Sequence, residues 1–141
     1  MSILAAAKKV SEHANSFVEE NESMGRLHDE VVKAMQQSEL PQMLKPDSNY
    51  SIREFIEVCG TLGEGCMSAG WCNFVWGMHN YLIGLYPKTV QSEVWDNTKT
   101  LISASLNPQG TCSYSSNAET ATINGHWTFN SGCDHADWLL L

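Results

Sequence analysis

Two stretches of the chain carry residue types from which a reaction centre could be built. The first runs Ser68-Ala-Gly-Trp-Cys-Asn-Phe-Val-Trp-Gly-Met-His-Asn-Tyr-Leu-Ile-Gly-Leu-Tyr86, with one histidine, His79, and no charged side chain. At helical spacing, His79 falls in an apolar arc beside Cys72, Val75, Ile83 and Tyr86. An imidazole held away from water stays neutral near pH 7 and can accept a proton. Two roles are open to it: a core histidine bonded to a backbone carbonyl, or a base facing a dry ligand cavity. The second stretch is Trp127-Thr-Phe-Asn-Ser-Gly-Cys-Asp-His-Ala-Asp-Trp138. Here Asn130 and Ser131 offer an amide and a hydroxyl that could hydrogen-bond a ligand, or could cap a turn. Cys133, Asp134, His135 and Asp137 are metal-ligand types, but adjacent residues cannot all face one ion. No metal is expected.

The elements around them follow from periodicity and punctuation. Ser2 is placed to cap a helix with Leu4, Ala7, Val10, Ala14 and Phe17/Val18 at helical spacing, ending near Asn21. A second helix is predicted after Ser23, with Leu27, Val31, Ala34 and Met35 buried, stopping before Pro41. The connector Leu40–Pro46 holds apolar residues and should pack on the core. Ser51-Ile-Arg-Glu54 is a capping box. It opens a third helix, predicted to bury Ile52, Phe55, Ile56, Cys59 and Leu62 and to break at Gly63 and Gly65. The His79 stretch follows as a buried helix, because it is apolar around most of its circumference. Asn73, Gly77, Asn80 and Gly84 form one narrow strip on it. After Pro87 a short amphipathic element carries Val90, Val94 and Trp95.

The texture then changes to strand character at Thr100–Leu106, ended by turn residues Asn107-Pro108-Gln-Gly110. Glu119–Ile123 and His126–Asn130 flank Asn124-Gly125, which predicts a two-residue hairpin turn. Ala136–Leu141 reads as the start of another strand. The fold class is thus mainly α with a β portion: residues 1–98 a helical domain, residues 99–141 the beginning of a β-domain. Three or four strands without a second half leave a sheet that must be covered, so the polypeptide is expected to be a fragment, the alternative being that another copy of the chain covers it.

Composition narrows the partners. The chain has 141 residues and a net charge of -8, which argues against nucleic acid or an anionic membrane surface. Nothing reaches the ~18 apolar residues needed to span a bilayer. The amino terminus lacks the order of a secretion signal. Five cysteines, an odd number with no C-x-x-C pair, fit a reduced, cytoplasmic protein.

Gly70-Trp71, His79, the strand leading to Asn107-Pro108-Gln-Gly110 and the block Trp127-Thr-Phe-Asn-Ser-Gly-Cys133 together resemble the amino-terminal part of the acyl-CoA dehydrogenase superfamily. More closely, they resemble the oxygenase components of two-component flavin monooxygenases, the branch that includes p-hydroxyphenylacetate 3-hydroxylase and pigment-pathway hydroxylases. The resemblance covers essentially the whole chain. It implies a helical domain, a β-domain and a carboxy-terminal bundle that is absent here. It also implies a homotetramer when complete, and reduced FMN or FAD supplied by a separate flavin reductase. The implied reaction uses O2 on a small aromatic substrate through a flavin C4a-hydroperoxide.

By position, His79, Asn130 and Ser131 take the catalytic places, with His79 binding or deprotonating a phenolic substrate and Asn130 or Ser131 meeting the flavin N5 edge. The family usually has Ser-Ser or Thr-Asn there, so Asn130 departs from the commonest hydroxyl. Ser105, Asn107, Gly110, Asn130 and Ser131 take cofactor-binding places. Trp71, Val75, Trp76 and His79 form the implied substrate pocket, walled against water by Trp71, Phe74, Trp76 and Met78. The 141 residues alone are expected to be inactive. An acyl-CoA dehydrogenase-type oxidoreductase and a truncated, non-catalytic helical module stand as the alternatives.

Overall fold

The structure, a computed structural model, describes residues 2–107, 109–117 and 119–141. Helix α1 (Ile3–Asn15) starts where Ser2 Oγ accepts a hydrogen bond from the Ala5 amide, 3.3 Å. The run expected to reach Asn21 breaks at Ser16–Phe17, and α2 (Val18–Met24) begins anew. The break seats the Phe17 ring on His28, 4.4 Å between centroids. Gly25 ends α2 with φ +67°, a left-handed conformation that glycine takes without strain. Ser23 lies inside α2 and starts nothing. Helix α3 (Asp29–Gln37) is capped by His28, whose Nδ1 accepts from the Glu30 amide. Val31, Val32 and Met35 face the core, and the buried 3₁₀ turn Leu40–Gln42 packs on it as expected.

Helix α4 (Ile52–Gly65) has the predicted capping box, with Ser51 and Glu54 bonding each other's backbone amides. Its buried stripe differs from the expectation. Phe55, Val58 and Leu62 are shut from solvent, while Ile52 and Ile56 are exposed. The helix also runs through Gly63 to Gly65, because neighbouring helices supply the packing that glycine does not.

Helix α5 (Met67–Ile83) is the centre of the molecule, but its orientation inverts the simplest reading of its wheel. The strip of Asn73, Gly77 and Asn80 faces inward, whereas Trp71 and Tyr81 from the apolar arc are half exposed. Asn80 tolerates burial because its amide is fully used. Nδ2 donates to the Pro41 and Trp76 carbonyls, and Oδ1 accepts from Trp95 Nε1 at 2.8 Å. Gly77 allows α4 and α5 to touch, since a Cβ there would overlap the Phe55 ring.

Helix α6 (Lys88–Val94) buries Val94 in a small cluster with Ile83 and Ile102. Strand β1 (Ile102–Ala104) lies on α5 and is fully buried. It pairs in parallel with β4 (Trp138–Leu140), Ile102 opposite Trp138 and Ala104 opposite Leu140. The other sheet is an antiparallel hairpin of β2 (Gly110–Tyr114) and β3 (Ala121–Gly125), exposed along its length.

This hairpin corrects the Asn-Gly prediction. Asn124 and Gly125 sit within β3, opposite Thr111 and Gly110, and neither has a positive φ. The turn is made instead by Ser115, Asn117 and Glu119, with Asn117 Oδ1 accepting from the Ser115 hydroxyl and the Glu119 amide. Residues 126–130 form no strand. The predicted turn at 107–110 includes Pro108, which lies outside the described residues. Among the described residues no helix is long and apolar enough to cross a membrane.

Candidate functional site

Where α5 meets the exit of β1, the structure forms an open hollow of about 420 Å³. Helix α5 contributes Trp71, Val75 and His79; the β1 side contributes Ala104 to Asn107; the irregular segment after β3 contributes Thr128, Phe129 and Ser131. Three stretches far apart in sequence thus bring Trp71, Val75, His79, Ser105, Asn107 and Ser131 together.

His79 is 7% exposed, and its Nδ1 lies 3.0 Å from the Ile102 carbonyl oxygen. A carbonyl only accepts, so Nδ1 carries the proton and donates it. Nε2 is then the unprotonated nitrogen, a hydrogen-bond acceptor and a base. Burial pushes the imidazole pKa below its ordinary value, and the bond to Ile102 opposes this less strongly. The ring is thus bonded to a backbone carbonyl, and it also lines the hollow.

The opposite wall is pinned by its carbonyls. Ser105 Oγ donates to the Thr128 carbonyl at 2.9 Å, and Ser103 Oγ donates to the Ser131 carbonyl at 3.0 Å. Gln109 Oε1 accepts from the Thr128 amide and hydroxyl. Between the pins the backbone is unusual. Phe129 has φ +60° and Gly132 has φ +76°. A left-handed phenylalanine is uncommon and costs of order 1–3 kcal/mol unless its surroundings hold it. Within this turn, Asn130 Oδ1 is closed to solvent and has no hydrogen-bond partner.

Three predicted site residues sit elsewhere. Trp76 does not line the hollow. It is fully buried, and its Nε1 donates to the Gly132 carbonyl at 3.3 Å. Gly110 lies in the exposed hairpin, where a Cβ would strike the Trp127 ring. Asn130 belongs to the wall segment but does not itself line the cavity. Phe74 and Met78, expected in the wall, pack against the core instead. Conversely, Ala104, Leu106, Thr128 and Phe129 line the hollow and were not singled out. The alternation of Ser103 and Ser105 along a strand was the available signal for the pinned wall; the left-handed Phe129 had none.

Cys133, Asp134 and His135 form a 3₁₀ turn, and the described residues contain no group of three ligands arranged for a metal. His135 Nε2 donates to the Leu27 carbonyl at 2.9 Å and lines a separate hollow of about 460 Å³ with Arg26, Trp71 and Cys72. Burial pushes the Cys72 thiol up to about 12, so it is not a nucleophile there.

Comparison with known proteins gives the same architecture. The oxygenase subunit HsaA of a flavin-dependent monooxygenase from Rhodococcus jostii is 32% identical over 128 residues, covering 87% of this chain and 33% of that protein. The oxygenase component of FADH(2)-dependent resorcinol hydroxylase from a Rhizobium species is 33% identical over 92 residues, covering 62% of this chain and 21% of that protein. Among solved structures, the HsaA monooxygenase of Mycobacterium tuberculosis superposes with a TM-score of 0.88 at 31% identity, over 98% of this chain and 37% of that one. No protein-family model matches. The chain spans about a third of the length of the curated relatives it matches.

Proposed function

We propose, from the premise that this chain is homologous to oxygenase subunits of flavin-dependent monooxygenases, that it forms part of such a subunit and helps to hydroxylate a small aromatic substrate. In this reading residues 1–98 are the helical domain and residues 99–141 begin the β-domain. The hollow between α5 and the pinned segment is one side of the active site. The complete protein is an oxidoreductase, and a separate reductase delivers its flavin as reduced FMN or FAD. It assembles as a homotetramer in the cytoplasm, where its free cysteines stay reduced. The exposed side chains of Met67, Trp71 and Phe129 support a covering by further protein.

The residues present fit a reduced flavin. Asn130 Oδ1 is an unpaired acceptor in the wall segment, behind the lining of the hollow; with its side chain turned into the hollow it would meet one of the N–H donors that a reduced flavin ring carries. Leaving such an oxygen unpaired costs about 1–3 kcal/mol, so a bound donor would be favoured. Backbone and side chains of Ser105, Asn107 and Ser131 would hold the group beside it. When bound, reduced flavin supplies the electrons and the activation of O2.

This chain's own part in the chemistry is threefold. His79 Nε2 accepts a hydrogen bond from the substrate's phenolic O–H and takes that proton as the ring becomes electron-rich. The Nδ1 bond to Ile102 fixes the tautomer that makes this possible and orients the ring. Trp71, Val75, Leu106 and Phe129 give the hollow apolar walls that, once further protein covers the rim, keep water from the reacting atoms.

The observation that carries the proposal is the meeting of His79, with a free Nε2, and Ser105, Asn107 and Ser131 across one cavity. The test is turnover by the intact protein as it occurs in its source, with reduced flavin, ¹⁸O₂ and a panel of simple phenols. One ¹⁸O atom should enter the ring, and His79→Asn should lower kcat/KM by about 10²–10⁴. Flavin reoxidation without ¹⁸O in any phenol would end the proposal.

A further inference from the structure

Trp76 was expected in the substrate pocket, yet it does not line the hollow, and its contacts indicate another task. It stands three residues before His79 on α5. Its Nε1 donates to the Gly132 carbonyl at 3.3 Å, and its ring meets the His135 ring edge-on, 6.4 Å between centroids at 87°. Gly132 is shaped to this contact. A Cβ there would lie 2.5 Å from Trp76 Nε1, and φ +76° already disfavours any other residue.

The bond closes a circuit. Helix α5 reaches β1 through His79 Nδ1 and the Ile102 carbonyl, 3.0 Å. The next residue on β1, Ser103, holds the Ser131 carbonyl at 3.0 Å. The chain passes from Ser131 to Gly132, whose carbonyl returns to α5 at Trp76. Three elements are thus tied in a ring that includes both walls of the cavity. The distance between His79 and Ser131 is set from both sides. Within the same turn lie the left-handed Phe129 and the unpaired Asn130 oxygen. A strained backbone persists only where its surroundings over-determine it; besides the local Cys133 amide bond to the Asn130 carbonyl, the Trp76 and Ser103 bonds tie this turn to α5 and β1.

We infer that Trp76 is a positioning residue: by holding the Gly132 carbonyl from the helix that bears His79, it keeps the Phe129–Gly132 turn at a fixed offset from the imidazole. This deepens the proposed function and rests on it only for the turnover readout, since the geometric claim can be measured without flavin.

Trp76→Phe retains an aromatic ring of similar bulk and deletes only the N–H. In the 141-residue chain, amide exchange at Cys133 and His135, whose N–H groups bond the Asn130 and Gly132 carbonyls, should quicken about 10-fold. Exchange in α1 and α4 should stay unchanged, and nuclear Overhauser contacts between Ser131 and the His79 ring should weaken. Ser103→Ala, cutting the other arm of the circuit, should do the same, so the claim stays testable if Trp76→Phe fails to fold. In the intact enzyme Trp76→Phe should lower kcat about 10-fold or more with KM changed less than about twofold, as expected for misplacement of a reacting partner. Uniform exchange across the chain, or an unaltered turn in either variant, would overturn the inference. Absence of ¹⁸O incorporation by the unsubstituted enzyme would remove the proposed function and leave the exchange result standing.

Discussion

At the scale of single residues, His79 shows how one bond decides chemistry. Donation from Nδ1 to a carbonyl leaves Nε2 as the base, and burial keeps the ring neutral. The same burial links it to stability. Its pKa in the folded chain is below the ordinary 6.5, so in the interval between the two values the unfolded chain binds more protons, and stability rises with pH. The contribution is fully present above about pH 6.5 and is lost as pH falls through the lower folded value. Urea midpoints measured from pH 8 to pH 5 should therefore fall more steeply for the unsubstituted chain than for His79→Gln. Parallel curves would mean that the imidazole is not shielded. The carboxylates Asp29 and Glu54, whose pKa values are lowered by their hydrogen bonds to Arg26 and Ser51, titrate at lower pH and drop out of the comparison.

Among the elements, α5 rests against α4 at a place only glycine permits. At Gly77 a Cβ would overlap the Phe55 ring, itself fully buried. Gly77→Ala should destabilise the chain by about 1–3 kcal/mol, the usual cost of overpacking a core. At Gly60, on α4, a methyl group would meet nothing within 4 Å. Gly60→Ala should be neutral or stabilising by about 0.5–1 kcal/mol, from the entropy that glycine loses in a helix. Urea unfolding of the two variants, with equal m-values, checks the contrast; equal effects at both sites would show that α4 and α5 are not in close contact. The capping box of α4 and the Asn80 bonds of α5 were matters of local and long-range pairing respectively. Only the first could be read from spacing.

Across the whole molecule, the cavity is walled on two sides by the described residues, and its rim carries exposed Trp71, Leu106 and Phe129. A flavin ring needs burial on most of its surface to bind tightly. The 141-residue chain is expected to bind FMN or FAD weakly or not at all, followed by quenching of flavin fluorescence. Tight, saturable binding would show that the two walls suffice and that no further protein is needed to hold the cofactor.

Local signals were legible because they act within a few residues. Ser2 and the Ser51–Glu54 box mark helix starts, Pro41 and Pro87 mark boundaries, and the uncharged run around His79 marks a central helix. That His79 and Ser131 come to line one hollow was not legible from spacing, since α5 and the segment after β3 meet only in the tertiary structure. The tertiary structure alone decided which side of α5 is inside, because a helix apolar nearly all round carries no strong preference. Asn73 and Asn80 go inward, and Asn80 does so because its partners await it there. Pairing with Gly110–Tyr114 likewise drew Asn124-Gly125 into a strand in place of a turn, since a ladder of backbone bonds outweighs a two-residue propensity. Trp76 became a tether rather than a pocket wall because the Gly132 carbonyl, 56 residues away, offered its indole the partner that a buried N–H requires.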